Sequence, residues 1–159
     1  MYYFSESRAI ARHVLRKHKP ELLGTGSLEQ AAMVDVWLEV EAHQLHPAAI
    51  AIVVYCIFAS YLGRERNQAV VDENVEKLKK VLEVYEARLS QSKYLAGDFL
   101  SLADLSHFTI MHYFMATEYA ALVEAHQHVK AWWEELATRP AAKKVAGFLT
   151  IGSGVTTEK

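Results

Sequence analysis

Residues that turn a chain are scarce in this sequence. Its 159 residues include seven glycines and three prolines, and no Asn-Gly or Asp-Gly dipeptide joins two alternating, strand-like segments. An antiparallel sheet needs a tight turn between neighbouring strands, so a chain with so few turns has little room for a sheet. We therefore predict an all-α protein, folded as a bundle of five to seven helices.

Size and charge narrow the class of partner. With 52% hydrophobic and 23% charged residues, the chain has the composition of a globular protein and the length of one compact domain with a core. The net charge is −2 and no long run carries one sign. The sequence therefore lacks the basic surface typical of nucleic-acid-binding proteins. We expect small molecules or proteins as partners, and no nucleic acid.

The single cysteine, Cys56, lies in the apolar run AIAIVVYCIF. It has no partner for an internal disulfide, so we interpret it as a buried small hydrophobe in a reducing, cytoplasmic compartment. The uncharged stretch 47–63 around it is shorter than the roughly 20 residues that a bilayer requires, and it contains Ser60 and two tyrosines. We predict a buried core helix there and no association with a membrane.

The first half of the chain predicts two helical segments. One spans residues 6–18 and ends at the loop KPELLGTGS; the next begins at the N-cap residue Ser27. Because proline lacks the helix N–H and disfavours helix in the residue before it, we predict a kink or a break at Pro47. The apolar stripe of the second segment consists of Leu28, Ala31, Val34, Leu38 and Ala42, widened by Trp37 and Val40.

The second half predicts a long amphipathic helix in VDENVEKLKKVLEVYEARLSQS. Glu76 and Lys80 lie four residues apart on its polar face, where they suit an ion pair. The apolar stripe on its other face consists of Val71, Val75, Leu78, Leu82, Tyr85 and Leu89.

A strong helix start follows at Ser101. The side chains of Ser101 and Asp104 have the spacing of a capping box, in which each accepts a hydrogen bond from the other's backbone N–H. The helix that it opens, LADLSHFTIMHYFMA, is apolar nearly all round, so we predict it to be the central, most buried one. A further helix ends at Pro140, a short one follows in AAKKVAGFL, and we expect residues 150–159 to be disordered.

Eight histidines raise the question of a metal site. None of their pairs has a carboxylate and a third ligand at a known spacing, and there is no His-Glu-x-x-His motif. We therefore expect no metal, and we interpret the histidines as satisfied or exposed helix residues. Trp132 and Trp133 are predicted to pack in the core or at an interface, because Glu134 and Glu135 beside them do not suit a nucleic-acid surface.

Glu6 and Ser7 are the polar candidates for binding. A serine hydroxyl and the unpaired N–H groups of a first helical turn can hold a carboxylate, and Glu6 can hold an ammonium group. Together they suit the zwitterionic end of an amino acid. Simple capping of the helix by Ser5 or Ser7 explains the same residues, and the sequence leaves both interpretations open.

Four segments in order carry a family resemblance: ESRAIARHVLRKH, the loop KPELL, EAHQLHP, and YLAGDFLSLADLSH. Over nearly the whole chain, up to Phe148, they resemble a plant phi-class glutathione transferase. The resemblance implies that Ser101 and Asp104 form the family's structural N-capping box. It also implies that Glu6 and Ser7 bind the γ-glutamyl end of glutathione, the family's co-substrate, with no cofactor.

The resemblance also implies a division of the chain. Residues 1–26 correspond to the last helix and linker of the family's thioredoxin-like domain, residues 27–149 to its all-helical second domain, and residues 150–159 to a tail. No residue aligns with the family's catalytic serine, which hydrogen-bonds the glutathione thiolate and lowers the pKa of that thiol. We therefore name no catalytic residue and expect weak or no catalysis from this truncated form alone.

The implied activity is conjugation of glutathione to hydrophobic electrophiles. Helix spacing gives Val54 and Phe58 on one helix, and Met115 and Tyr119 on another, as candidates for the hydrophobic-substrate wall, with plain core packing as the other explanation. The alternative function is a non-catalytic protein that binds hydrophobic ligands, or a regulatory or dimer partner. In the family, one face of the helical bundle packs against the thioredoxin-like domain, and the resemblance implies that this face is exposed here. A large exposed apolar face favours self-association, so we expect a homo-oligomer, with a dimer that swaps its first helix as one arrangement.

Overall fold

The computed structural model describes residues 5–149, and all the regular secondary-structure elements in that range are helices. The all-α prediction is therefore confirmed, while the predicted disorder of 150–159 lies outside the described residues. The helices are α1 (Ser7–His18), α2 (Leu28–Val40), α3 (His46–Val53), α4 (Gln68–Leu89), α5 (Leu102–Leu105), α6 (Phe108–Phe114), α7 (Ala121–Glu124), α8 (Gln127–Thr138) and α9 (Pro140–Ala146).

Pro47 does not break the helix that contains it. A π turn, Glu41–Leu45, joins α2 to α3, and a second one, Val54–Phe58, follows α3, so the helix runs from Leu28 to Phe58. In the first π turn the N–H of His46 donates to the carbonyl of Glu41, one residue beyond the α-helical pattern. The pattern shifts directly before the residue that lacks an N–H, which is how the helix accommodates the proline.

The helix Leu28–Phe58 is long and apolar enough, by length and composition alone, to cross a membrane. A core helix in a water-soluble bundle has the same length and composition, so these properties do not distinguish the two. Its buried residues Ala48, Ala49, Ile52 and Val53 belong to the core cluster of this structure. Cys56 was predicted to be a buried small hydrophobe, but it is only half-buried.

The predicted stripe of α4 is confirmed, because all six of its residues are buried. This helix packs against α3 and α8, and α3 also packs against α6. The predicted Glu76–Lys80 pair is wrong: Glu76 pairs with Lys79 at 2.6 Å. In α2, Val34, Trp37 and Leu38 are buried, but Leu28 is 87% exposed because it begins the helix beyond the edge of the core.

The segment LADLSHFTIMHYFMA is not one helix. It divides into α5 and α6, separated by a turn at Ser106 and His107. This division and the short helix α7 give the described range more helices than the five to seven predicted, whereas the short helix α9 was expected. The capping box of Ser101 and Asp104 is present at the start of α5. Trp132 and Trp133 are buried in the core, as predicted.

Candidate functional site

A cleft of about 700 Å³ separates α1 from the face of the bundle formed by α3, α5 and α6. From α1, Ser7, Arg8 and Leu15 line it; from the bundle, apolar residues such as Ile50 and Ile110 form the opposite side. The cleft therefore has a polar end at the first turn of α1 and an apolar wall on the bundle.

The first turn of α1 is available to a ligand. Its N-cap residue is Glu6, whose side chain makes no capping hydrogen bond. Glu6 has φ = 68°, a left-handed conformation that non-glycine residues rarely adopt. Ser7 lines the cleft, whereas Glu6 is exposed beside it. The uncapped first-turn N–H groups and the Ser7 hydroxyl can therefore donate hydrogen bonds to a bound anion.

Two ion pairs hold α1 against α2 and the π turn that follows it. Arg8 contacts Glu41 at 2.6 Å, and Arg12 contacts Asp35 at 2.8 Å. Burial raises the pKa of the Glu41 carboxyl, and the Arg8 guanidinium offsets only part of that shift. No residue of α1 is fully buried, so this helix is held to the bundle by the Arg8–Glu41 pair and by its half-buried Ala11 and Leu15, which pack against the core.

Phe58 is the member of the predicted wall that lines the cleft. Its ring meets the Tyr113 ring edge to face, with centroids 5.2 Å apart, and Tyr113 lines the same cleft. Val54, Met115 and Tyr119 lie outside the residues that line it. Tyr113 was not among the predicted wall residues, because its place three residues after the buried Ile110 on α6 indicates only a shared helix face, which core packing explains equally well.

Tyr119 faces a different neighbourhood. Its hydroxyl accepts hydrogen bonds from Arg66 Nη2 at 3.2 Å and from Gln68 Nε2 at 3.0 Å. Both donors lie at the entry to α4, so this tyrosine ties the turn after α6 to the segment before α4.

His107 lies buried in the turn between α5 and α6, and both of its ring nitrogens are hydrogen-bonded, so it is one of the satisfied histidines expected from the sequence. Its Nδ1 lies 2.6 Å from the Ala103 carbonyl, which can only accept, so Nδ1 carries the proton and Nε2 accepts from the Tyr85 hydroxyl at 2.9 Å. Burial lowers the pKa of His107 to about 3, so the ring is neutral at physiological pH. Among residues 5–149, no three His, Cys, Asp or Glu side chains form a group able to hold a metal.

Comparisons with known proteins agree with this geometry. A family model described as the C-terminal domain of glutathione S-transferase matches residues 45–140. Glutathione S-transferase 4 of Zea mays is 79% identical over 154 residues, which cover 97% of this chain and 69% of that protein. A probable glutathione S-transferase of Oryza sativa subsp. japonica, GSTF1, is 58% identical over 92% of this chain and 69% of its own length.

Solved structures give the same result. A glutathione S-transferase I bound with lactoylglutathione superposes with a TM-score of 0.89 at 57% identity, over 92% of this chain and 70% of that one. Glutathione S-transferase I from maize in complex with an atrazine glutathione conjugate has a TM-score of 0.91 at 55% identity, over 96% and 71% of the two chains. On its sequence, its helical bundle and these likenesses, the chain belongs to the plant phi-class glutathione transferases.

Proposed function

We propose that this chain takes part in the conjugation of glutathione to hydrophobic electrophiles, contributing one corner of the peptide site and a wall of the electrophile site. The observation that carries the proposal is the single cleft that joins Ser7 at the first turn of α1 to the Phe58–Tyr113 pair. A polar end and an aromatic wall in one cleft suit a ligand with a zwitterionic peptide and an apolar substituent.

Glu6 and Ser7 would hold the γ-glutamyl end of glutathione. The carboxylate would accept hydrogen bonds from the Ser7 hydroxyl and the first-turn N–H groups, and Glu6 would pair with the ammonium group. Two related structures contain lactoylglutathione and an atrazine glutathione conjugate, and both ligands contain this peptide.

For the electrophile wall, the geometry favours Phe58 among the four predicted residues and adds Tyr113 as its partner. Val54, Met115 and Tyr119 remain in the proposal as candidates outside the cleft lining. An aromatic pair with an edge-to-face contact gives a firm apolar surface on which an aromatic electrophile can stack.

The proposal divides the chain into a helical domain and a preceding remnant of another domain. The core cluster of buried residues lies between Val34 and Leu136, inside the proposed helical domain 27–149, whereas α1 in the proposed remnant 1–26 has no fully buried residue. We propose weak or no turnover by this chain alone, a homo-oligomeric state that covers the exposed Ile10 and Val14 of α1, and a cytoplasmic location.

The test is a comparison of binding and turnover on the purified chain. We expect S-hexylglutathione to bind, and Ser7→Ala and Phe58→Ala each to weaken that binding about tenfold, a loss typical of one hydrogen-bonded or aromatic contact. The control Glu39→Gln, at an exposed position on α2, should change nothing.

Conjugation of glutathione to 1-chloro-2,4-dinitrobenzene should run near the uncatalysed rate. Absence of binding, or binding that both cleft variants leave intact, contradicts the proposed site. Turnover far above the uncatalysed rate contradicts the proposal of weak catalysis. Light scattering that shows a clean monomer contradicts the proposed oligomer.

A further inference from the structure

A cluster of four polar side chains lies between the segment before α4 and the turn after α6. Arg66 Nη1 pairs with Glu118 Oε1 at 2.5 Å, and Arg66 Nη2 donates to the Tyr119 hydroxyl at 3.2 Å. Gln68 accepts from Arg66 Nε at 2.9 Å and donates to the same Tyr119 hydroxyl at 3.0 Å. These four residues, called the latch below, join the segment before α4 to the turn after α6.

The latch also reaches the second π turn. Cys56 lies in the middle of Val54–Phe58, close enough to the latch for its charges to act on the thiol: burial and Glu118 raise the pKa of the thiol, whereas Arg66 lowers it. Arg66 and Glu118 therefore pair with each other in the neighbourhood of Cys56. π turns are rare and occur mostly as single turns inside α-helices, frequently at functional sites.

The same π turn carries Phe58, two residues after Cys56. Phe58 packs on Tyr113, and Tyr113 belongs to α6, which runs directly into the turn that holds Glu118 and Tyr119. Phe58 is thus followed in the chain by the segment that carries Arg66, and Tyr113 by the turn that carries Glu118. The Arg66–Glu118 pair joins these two segments.

We propose that Arg66 and Glu118 are positioning residues, which fix the π turn Val54–Phe58 and thereby hold Phe58 in the wall of the cleft. The part that concerns the ligand rests on the proposed function, in which Phe58 contacts the apolar substituent of the conjugate. The part that concerns the π turn stands on the latch contacts alone.

Cys56 gives a direct test, because it is the only cysteine in the sequence. Arg66→Met keeps the length of the side chain and removes its charge and donors. We expect N-ethylmaleimide to label the Cys56 thiol about fivefold faster in this variant, the upper size of an exposed ion pair in a network. The matched control is Lys77→Met, which removes an exposed pair with Glu73 on the outer face of α4.

Whether labelling becomes faster or slower distinguishes an opened π turn from a change in the pKa of the Cys56 thiol. Burial raises the pKa of the Cys56 thiol and the Arg66 charge offsets part of that shift, so removal of the charge alone reduces the thiolate fraction and slows labelling. Faster labelling therefore reports an opened π turn. Because Arg66 is 38% exposed in its side chain, the variant is expected to keep the fold, which its thermal unfolding checks.

The second readout is the affinity for a dinitrophenyl conjugate of glutathione, which we expect Arg66→Met to weaken about threefold. A labelling rate no higher than that of Lys77→Met overturns the latch. Faster labelling with unchanged conjugate affinity overturns the positioning of Phe58, provided that Phe58→Ala weakens the conjugate. If Phe58→Ala also leaves the affinity for the conjugate unchanged, the proposed electrophile wall is wrong, and so is the part of the inference that concerns the ligand. The labelling rate of Cys56 still tests whether the latch fixes the π turn.

Discussion

The indole N–H of Trp132 donates a hydrogen bond to Asp104 Oδ1 at 3.0 Å, across 28 positions of the chain. The same oxygen accepts from the N–H of Leu95 at 3.0 Å, and Oδ2 accepts from both the N–H and the hydroxyl of Ser101 at 2.9 Å. The capping-box carboxylate therefore joins the start of α5, the strand-like segment before it and the middle of α8.

Replacing Asp104 by alanine should destabilise the fold strongly. The change leaves buried donors of Trp132, Leu95 and Ser101 without an acceptor, and we expect a loss of about 3 to 5 kcal/mol in the free energy of unfolding. Chemical denaturation measures it, with Asp35→Ala on the exposed surface as the control. A loss below about 1 kcal/mol would show that the carboxylate is no more than an ordinary cap.

Replacing Arg8 by methionine should cost more than replacing Arg12. Glu41 is 1% exposed, so the loss of Arg8 leaves a buried carboxylate unpaired, at a cost of about 3 kcal/mol in unfolding free energy. Asp35 is 65% exposed, and the loss of Arg12 should cost about 0 to 1 kcal/mol. Double replacement of Arg8 and Glu41 by methionine should recover part of the first loss in denaturant titrations; equal effects of the two arginines would contradict the role of burial.

His107 should make stability depend on pH. Its pKa is about 3 in the folded chain, against the ordinary value of 6.5, so its contribution is complete above 6.5 and is lost as the pH falls towards 3. The unfolded chain takes up a proton that the folded chain does not, which costs about 1.4 kcal/mol for each pH unit below 6.5. Unfolding curves between pH 7 and pH 4 measure this slope, and it should be shallower by that amount in His107→Gln.

Glu86 should stabilise the start of α8 in a pH-dependent way. Burial alone would raise the pKa of its carboxyl, but the N–H groups of Val129 and His128 and the His128 ring hold it below its ordinary value. This contribution, about 1 kcal/mol, is present above the unfolded pKa near 4.5 and is lost as the pH falls through the lower folded pKa. The difference in unfolding free energy between the natural chain and Glu86→Gln should therefore shrink below pH 4.5; a constant difference would contradict it.

Local patterns in the sequence predicted most of what depends on neighbouring residues. The stripe of α4, the N-cap at Ser27 and the capping box at Ser101 follow from spacings of three and four residues, and the structure contains all of them. The effect of Pro47 was only partly predictable, because a π turn accommodates a proline without any marker in the residue types.

The candidate site was less predictable than the fold. Phe58 and Ser7 were identified as candidates from spacing and resemblance, but the cleft that contains both also requires Tyr113, which no local pattern distinguishes from a core residue. The turn at Ser106 and His107 is a similar case, since an apolar run gives no signal for a break that tertiary packing imposes.

The sequence by itself determined the helical class, the faces that α4 buries and the residues that begin the main helices, because each depends on contacts within one or two helical turns. Only the tertiary structure decided which distant groups meet: Trp132 with Asp104, Arg8 with Glu41, Phe58 with Tyr113, and Arg66 with Glu118. These contacts arise when helices pack against one another, and packing is a property of the whole bundle rather than of any one segment.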